Sequence, residues 1–433
     1  MWMINTTTIR LNEDWKPLEY FLNGRGYAIL SHRWQGKEIS FQDIKRNVPL
    51  STPAFRKIIN ACNEARSLGY EWLWVDTCCI NKESQTELVE SINSMFQWYL
   101  KAAICLGYLV DVEVGGSPGE DRSREPGVFK KIGSERWIAS EWFSRGWTLQ
   151  ELLAPRHMVF YDTNWNELGS KHDLSAPISA VTGIDTKYLR NNRESLSSAC
   201  IATKMSWMAG RRTTREEDMA YSLVGLFNIN MDVRYGQTGT SAFIRLQEEL
   251  LKKGTDDSLF AWRMPKRGAG GAMPGWAADE WGLLAAEPSW FKDSGRLTIS
   301  PPRMNTSSRS ATNGYAMMQN GVKIPAAPIE LRKRYILPAM PTIVGVWILV
   351  FYLSQVQKIV DSTSLNCWDI ETGQQVALHL VNSNSRGEMK RARCMEFASP
   401  PRYRLTKIVP TRKESVYGMT SSRMVLQPEE RYD

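Results

Sequence analysis

Four short apolar runs in the first half of the chain each stop at a polar side chain, and segments of helical periodicity lie between them. Tyr27-Ala-Ile-Leu-Ser31 ends at Ser31-His32, and Glu71-Trp-Leu-Trp-Val-Asp76 ends at Asp76. Ile104-Cys-Leu-Gly-Tyr-Leu-Val110 leads to Asp111, and His157-Met-Val-Phe-Tyr161 leads to Asp162. Phe55 to Leu68 reads as a helix, as does the segment in which Leu88, Ile92, Met95, Phe96 and Tyr99 recur at helical spacing. Apolar strands alternating with helices predict an α/β fold, a mostly parallel sheet flanked by helices. Open sheets of this kind bind ligands at the carboxyl ends of their strands. Ser31, His32, Asp76, Asp111 and Asp162 therefore mark the rim where a site is expected.

The pattern changes twice further on. From Lys204 to Trp262 it is helical, with acidic Glu216-Glu217-Asp218 followed by Met219, Leu223 and Leu226, then Phe243, Leu246 and Leu250. From about Met264 the chain is rich in Gly, Pro and Ser. Short apolar runs there, at 296–300, 376–381 and 403–409, are separated by turn residues. A chain of 433 residues is too long for one ordinary core. The expected division is an α/β domain over 1–203, a helical extension over 204–262 and a β-rich C-terminal domain over 263–433.

Composition narrows the function classes. A net charge of +8 is modest for this length, and no nucleic-acid motif accompanies it, so no nucleic-acid partner is expected. The clusters Arg211-Arg212 and Arg332-Lys333-Arg334 read as general surface charge. Seven cysteines include no CxxC pair, and the start lacks a basic segment followed by an apolar core. These features predict a reduced, cytoplasmic protein. Four scattered histidines lack ligand spacing, so no metal site is expected. Tyr335 to Leu353 is uncharged and long enough to span a membrane. Pro338, Pro341 and its β-branched second half favour buried strands instead, so no membrane association is expected.

Ser144-Arg-Gly-Trp-Thr-Leu-Gln-Glu-Leu-Leu-Ala-Pro155 predicts a short amphipathic helix that opens after a glycine turn and stops at Pro155. Trp147 and Glu151 stand four residues apart and share a face. Glu151 is then either a surface carboxylate pairing with Arg145 or Arg156, or a tuned acid beside an indole. Asp76 either meets a ligand or, preferably, fixes the Thr77–Asn81 loop through backbone N–H groups. Ser84-Gln-Thr-Glu87 fits a capping box. Cys78 and Cys79 read as buried small hydrophobes. Trp34, Trp72, Trp74 and Trp147 read as core, and His32 as a structural group or a site residue.

Three of these stretches carry a resemblance. Tyr27-Ala-Ile-Leu-Ser-His-Arg-Trp34, Trp74-Val-Asp-Thr-Cys-Cys-Ile-Asn-Lys82 and Arg145 to Pro155 resemble, in order and spacing, the signature blocks of the fungal HET (heterokaryon incompatibility) domain. The resemblance continues through Lys204-Met-Ser-Trp207, Arg215-Glu-Glu-Asp-Met-Ala-Tyr221 and Ala242 to Glu248, and so covers roughly residues 1–262. Arg33 departs from it, since the family usually has Thr there. The resemblance implies a protein that triggers cell death when genetically unlike fungal cells fuse, acting through self-association or another incompatibility protein.

A shorter similarity bears on mechanism. Trp147-Thr-Leu-Gln-Glu-Leu152 is similar to the Trp-Cys-Leu-x-Glu-Leu block of plant Toll/interleukin-receptor (TIR) domains, whose Glu is the catalytic residue of NAD cleavage. The similarity implies a TIR-like, flavodoxin-like fold and a dinucleotide substrate of the NAD type, with no bound cofactor. Glu151 becomes the candidate catalytic residue, with Ser31, His32, Trp34, Asp76 and Trp147 lining the site. Trp34 is the indole placed to stack on a base or on nicotinamide. A carboxylate suits glycosidic cleavage because the transition state is oxocarbenium-like. A non-enzymatic module that signals by association through the same surface is the alternative.

Overall fold

The computed structural model describes residues 1–114, 135–190, 196–253, 256–265 and 281–299. Further on it describes the strand segments 316–318, 321–323, 360–372, 374–382 and 389–392. The apolar runs form the expected strands with slightly shorter bounds. Ala28–His32 is β3, Trp72–Trp74 is β4, Ile104–Tyr108 is β5 and Met158–Tyr161 is β6. These four are parallel, in the spatial order β4-β3-β5-β6. Three short strands extend the sheet antiparallel at its edges: β1 (Ile4–Asn5) and β2 (Arg10–Leu11) beside β4, and β7 (Glu167–Ser170) beside β6. The sheet is therefore seven-stranded and mixed. Its direction of winding reverses between β3 and β5. That is the switch point at which open α/β sheets place their ligands.

Helices α1 (Leu18–Phe21), α2 (Phe41–Lys45), α3 (Phe55–Ser67), α4 (Gln85–Lys101), α5 (Glu135–Ile138) and α6 (Thr148–Leu153) occupy the connections. Continuous apolar sequence buries the central strands on both faces, and every residue of β3 is buried. Trp74, Trp98 and Tyr99 form an aromatic cluster between β4 and α4. On the other side of the switch point Trp142 packs edge-on against Phe143 and Phe160.

Helix α6 departs from the amphipathic expectation, because all six of its residues are buried. β3, α4, the 3-10 turn 141–144 and the helix at 186–190 pack against it, and the chain beyond residue 200 closes over its start. Residue 212 forms a parallel bridge with Arg145, bonded on both sides by Gly146 N–H to Arg212 O at 2.8 Å and Arg212 N–H to Ser144 O at 2.7 Å. The approach is so close that a Cβ on Gly146 would stand 2.4 Å from Thr213 Cγ2, which accounts for glycine in this block. Similarly, a Cβ on Gly225 would fall 2.2 Å from Phe96 Cβ on α4. Helices at 201–206, 218–221 and 239–253 lie in this extension.

Arg211, expected on the surface, is 5% exposed. The capping box at α4 is half formed. Ser84 Oγ accepts from Glu87 N–H at 3.3 Å, but the Glu87 carboxylate reaches back to Asn81 N–H at 2.8 Å rather than to the cap. Cys78 and Cys79 are buried as expected. Further along, segments 389–392, 375–382, 360–369 and 297–298 pair in that order as an antiparallel sheet. The runs at 335–353 and 403–409 lie outside the described residues. Among the described residues no helix is long and apolar enough to cross a membrane.

Candidate functional site

The carboxyl end of β3 meets α6 through one short contact. Ser31 donates its hydroxyl to Glu151 Oε2 at 2.5 Å and accepts from the indole N–H of Trp142 at 3.0 Å. The Tyr99 hydroxyl, on α4, donates to Leu30 O at 3.1 Å and also hydrogen-bonds the Glu151 carboxyl. Glu151 is only 6% exposed. Burial, reinforced by the nearby charge of Asp76, pushes its pKa up to about 8 against the pull of Ser31, Tyr99 and Arg211. With burial the largest of these effects, the carboxyl is held largely neutral at neutral pH.

Trp142 is positioned by the rim itself. Asp111, just past β5, accepts from Ser140 Oγ at 2.6 Å and from Glu141 N–H at 2.8 Å, which fixes the 3-10 turn Glu141–Ser144. Arg33 ties the same turn to β3, pairing with Glu141 at 2.9 Å and standing 3.7 Å from Asp111. Asp162 has a different duty, since both its oxygens accept backbone N–H groups, of Val114 and of Asn164 and Asn166.

Asp76 ends β4 beside this network, and its loop-fixing expectation does not hold. Its Oδ2 accepts from the Trp34 indole N–H at 2.8 Å, while Oδ1 is buried without a hydrogen-bond partner. The N–H groups of Cys78 and Cys79 bond to Val75 O instead. Opposite Asp76 Oδ1, at 3.8 Å, stands Nε2 of His32, a fully buried ring whose two nitrogens lack partners. Glu38 Oε2 is 4.0 Å from the same nitrogen. Burial, helped by the charges of Lys57 and Lys82, drives the His32 pKa well below its ordinary value, so the ring is neutral. Burial raises the pKa of Asp76, which Lys82 and the Trp34 bond partly counter. Trp34, expected in the core, is 51% exposed, with Lys82 Nζ 3.8 Å from its ring centroid.

Ser31, Glu151, Asp76, His32 and Trp34 thus converge near the carboxyl ends of β3 and β4. Trp147 turns elsewhere. Its indole N–H donates to Asp218 Oδ2 at 3.1 Å, and Tyr235 donates to the other oxygen at 3.0 Å. Arg145 donates to Thr214 Oγ1 at 2.8 Å, so it does not neutralise Glu151 as a surface partner would. Sequence reasoning missed Tyr99, Trp142 and Arg211. The Glu141-Trp-Phe-Ser144 run ahead of the third block was the available signal for Trp142, and Tyr99 stood among the apolar positions of its helix.

Among the described residues no group of three or more His, Cys, Asp and Glu side chains could hold a metal ion. Residues 27–151 match the family model described as "Heterokaryon incompatibility protein (HET)", and residues 241–319 match one described as "Domain of unknown function (DUF8212)". Vegetative incompatibility protein HET-E-1 of Podospora anserina is 40% identical over 237 residues, which cover 54% of this chain and 16% of that relative. The chain therefore spans about a sixth of that relative's length. No solved structure matches. Ser31 and Glu151, from the first and third of the three blocks, both lie inside the matched segment, so residues 27–151 are what resembles a heterokaryon incompatibility (HET) domain.

Proposed function

We propose that this protein acts in fungal nonself recognition, in heterokaryon or vegetative incompatibility, and triggers cell death by cleaving NAD-type dinucleotides at Glu151. The observation that carries the enzymatic part is the Glu151 carboxyl itself, buried at the strand ends, hydrogen-bonded by Ser31 and shifted towards neutral pH. Trp34 offers an exposed ring face for a base, and Asp76 has an unpaired oxygen for a ribose hydroxyl. His32 lines the same side, and Trp147 braces the helix. A cationic nicotinamide ring brought near Glu151 favours loss of its proton. The resulting carboxylate would stabilise the oxocarbenium-like centre left as nicotinamide departs. The TIR-like strand order supports the comparison, because the parallel strands taken in chain order run 2-1-3-4, as in flavodoxin-like sheets.

The test is nicotinamide release by the purified protein and by Glu151→Ala. Release by an assembled wild type and its loss in the variant are the expected results. No release by wild type would remove the enzyme reading. A second reading has its own observation, because the 6% exposure of Glu151 also suits a carboxyl that only knits β3 to α6. The domain would then signal by self-association or by binding another incompatibility protein. Equal killing by wild type and Glu151→Ala favours this second reading.

A further inference from the structure

Two buried cations grip the helix that carries Glu151. Lys171, at the end of β7, donates from Nζ to Leu152 O at 3.0 Å and to Pro155 O at 2.6 Å, and so satisfies carbonyls at the far end of α6. Arg211 holds the near end. Its Nη1 donates to Arg145 O at 2.9 Å and to Thr148 Oγ1 at 3.0 Å, and its Nε donates to Trp207 O at 3.1 Å. All three acceptors are neutral. Among the described residues the buried Nη2 has no hydrogen-bond partner, and no carboxylate lies within ion-pair distance of the guanidinium.

A guanidinium does not shed its proton at neutral pH, and burying one without an anion is unfavourable. The acidic group that acts on Arg211 is Glu151, three residues along α6 from Thr148. The arrangement has a purpose if the charge serves the carboxyl. Asp76 and Arg211 act on Glu151 in opposite senses, one favouring the neutral acid and the other the carboxylate.

The other groups facing Glu151 do not substitute for Arg211. From β3, Ser31 is a neutral donor and His32 a neutral ring; from α4, Tyr99 is a neutral donor; from β5, the Cys105 thiol is held protonated by burial. On the turn before α6, Glu141 is paired with Arg33. Beyond α6, Arg190 donates its Nε to Ser175 Oγ at 2.6 Å.

We propose that Arg211 is a positioning residue for the Glu151 site: it pins the start of α6 and sets a buried guanidinium, its Nη2 unpartnered, against the helix that carries Glu151. The site is then complete only with residues that lie beyond the matched segment 27–151. The proposal takes Glu151 as the centre of the site, but it does not depend on turnover. Its readout is the Glu151 proton, measured without dinucleotide, so it fails or stands apart from the enzyme reading.

The experiment uses the full chain labelled with carboxyl-¹³C glutamate, with the Glu151 signal assigned by its loss in Glu151→Gln. Arg211→Gln is expected to raise the titration midpoint by about one pH unit, a tenfold gain in proton affinity. Arg211→Lys, which keeps the charge, leaves the midpoint near that of wild type. A purely structural arginine would lower stability in both variants while the midpoint stays fixed in both, and that outcome overturns the proposal. If Arg211→Gln does not fold, the ¹⁵N guanidinium signal of Arg211 in wild type decides. It is expected to shift with the Glu151 midpoint and to lose that step in Glu151→Gln. A signal flat through that midpoint overturns the proposal equally.

Discussion

Ser31 and Glu151 are 120 positions apart in sequence and 2.5 Å apart in space, a strand-end hydroxyl donating to a buried carboxyl. That one contact joins the first signature block to the third and sets the chemistry open to the domain. Glu151 keeps its proton at neutral pH in the folded chain and loses it in the unfolded one, so the contact leaves a mark on stability.

The folded pKa of about 8 lies above the ordinary 4.5 of an unfolded Glu. Stability from the neutral carboxyl is therefore fully present below about pH 4.5 and is lost as pH rises through about 8. Urea unfolding of wild type between pH 5 and 8 should weaken more steeply than that of Glu151→Gln, by up to about 1.4 kcal/mol per pH unit. Near pH 5, Glu151→Gln should cost under about 1 kcal/mol, while Glu151→Ala strands Ser31 and opens a cavity at roughly 2–4 kcal/mol. Parallel pH slopes for wild type and Glu151→Gln would show that the carboxyl is ionised in the fold.

Gly146→Ala should destabilise by about 1–3 kcal/mol, because its Cβ meets Thr213 Cγ2 at 2.4 Å. Thr213→Ser removes that methyl and keeps the hydroxyl that donates to Arg215 O at 2.6 Å. In thermal melts the double variant should recover most of the loss. Simple additivity of the two changes would place the strain elsewhere.

Lys171 shows the opposite pH dependence. Burial lowers its pKa from 10.5 to about 8, so its folded form is penalised while charged and relieved as pH rises. A neutral amine still has two N–H groups for Leu152 O and Pro155 O, so the bonds survive deprotonation. Wild type should gain stability over Lys171→Met between about pH 8 and pH 10.5. At pH 7 the variant should still be less stable by roughly 1–3 kcal/mol, because it leaves two carbonyls unmet. Equal curves for the two proteins would remove Lys171 from the support of α6.

Trp34 separates folding from binding. Half its surface is free, so Trp34→Ala should cost about 1 kcal/mol or less in denaturation. If a base stacks on its open face, the KM for nicotinamide release should rise between about 5- and 150-fold, matching about 1–3 kcal/mol of stacking, with kcat little changed. A kcat effect with unchanged KM would assign Trp34 to holding Asp76 instead.

The central strands could be read from sequence because a strand buried on both faces must be apolar throughout, and Ala28 to Leu30 or Phe160 and Tyr161 leave no ambiguity. The edge strands could not, because the two-residue strands β1 and β2 carry no periodicity. The third block identified Glu151 but gave the wrong surroundings. A six-residue helix with polar Thr148, Gln150 and Glu151 reads as half-exposed unless the elements packed around it, β3, α4 and the helix at 186–190 among them, are known. Arg211 misled for the same reason, since two adjacent arginines look like surface charge until their acceptors, Arg145 O and Thr148 Oγ1, are located. Asp76 follows β4 closely, but its partner Trp34 lies on a neighbouring strand's loop, which local reasoning about the Thr77–Asn81 turn cannot reach.

The bridge between residues 145 and 212, with the Trp147–Asp218 bond 71 positions apart, also fixes an order of events in synthesis. Helix α6 is too short to persist alone. At roughly 5–20 residues per second, the ribosome takes several seconds to pass from the helix to the residues that seat it. Through that interval the nascent sheet can close while the Glu151 pocket stays unmade. The Ser31–Glu151 contact thus belongs to a late step of folding, open only once residues near 212–218 have emerged to seat the start of α6.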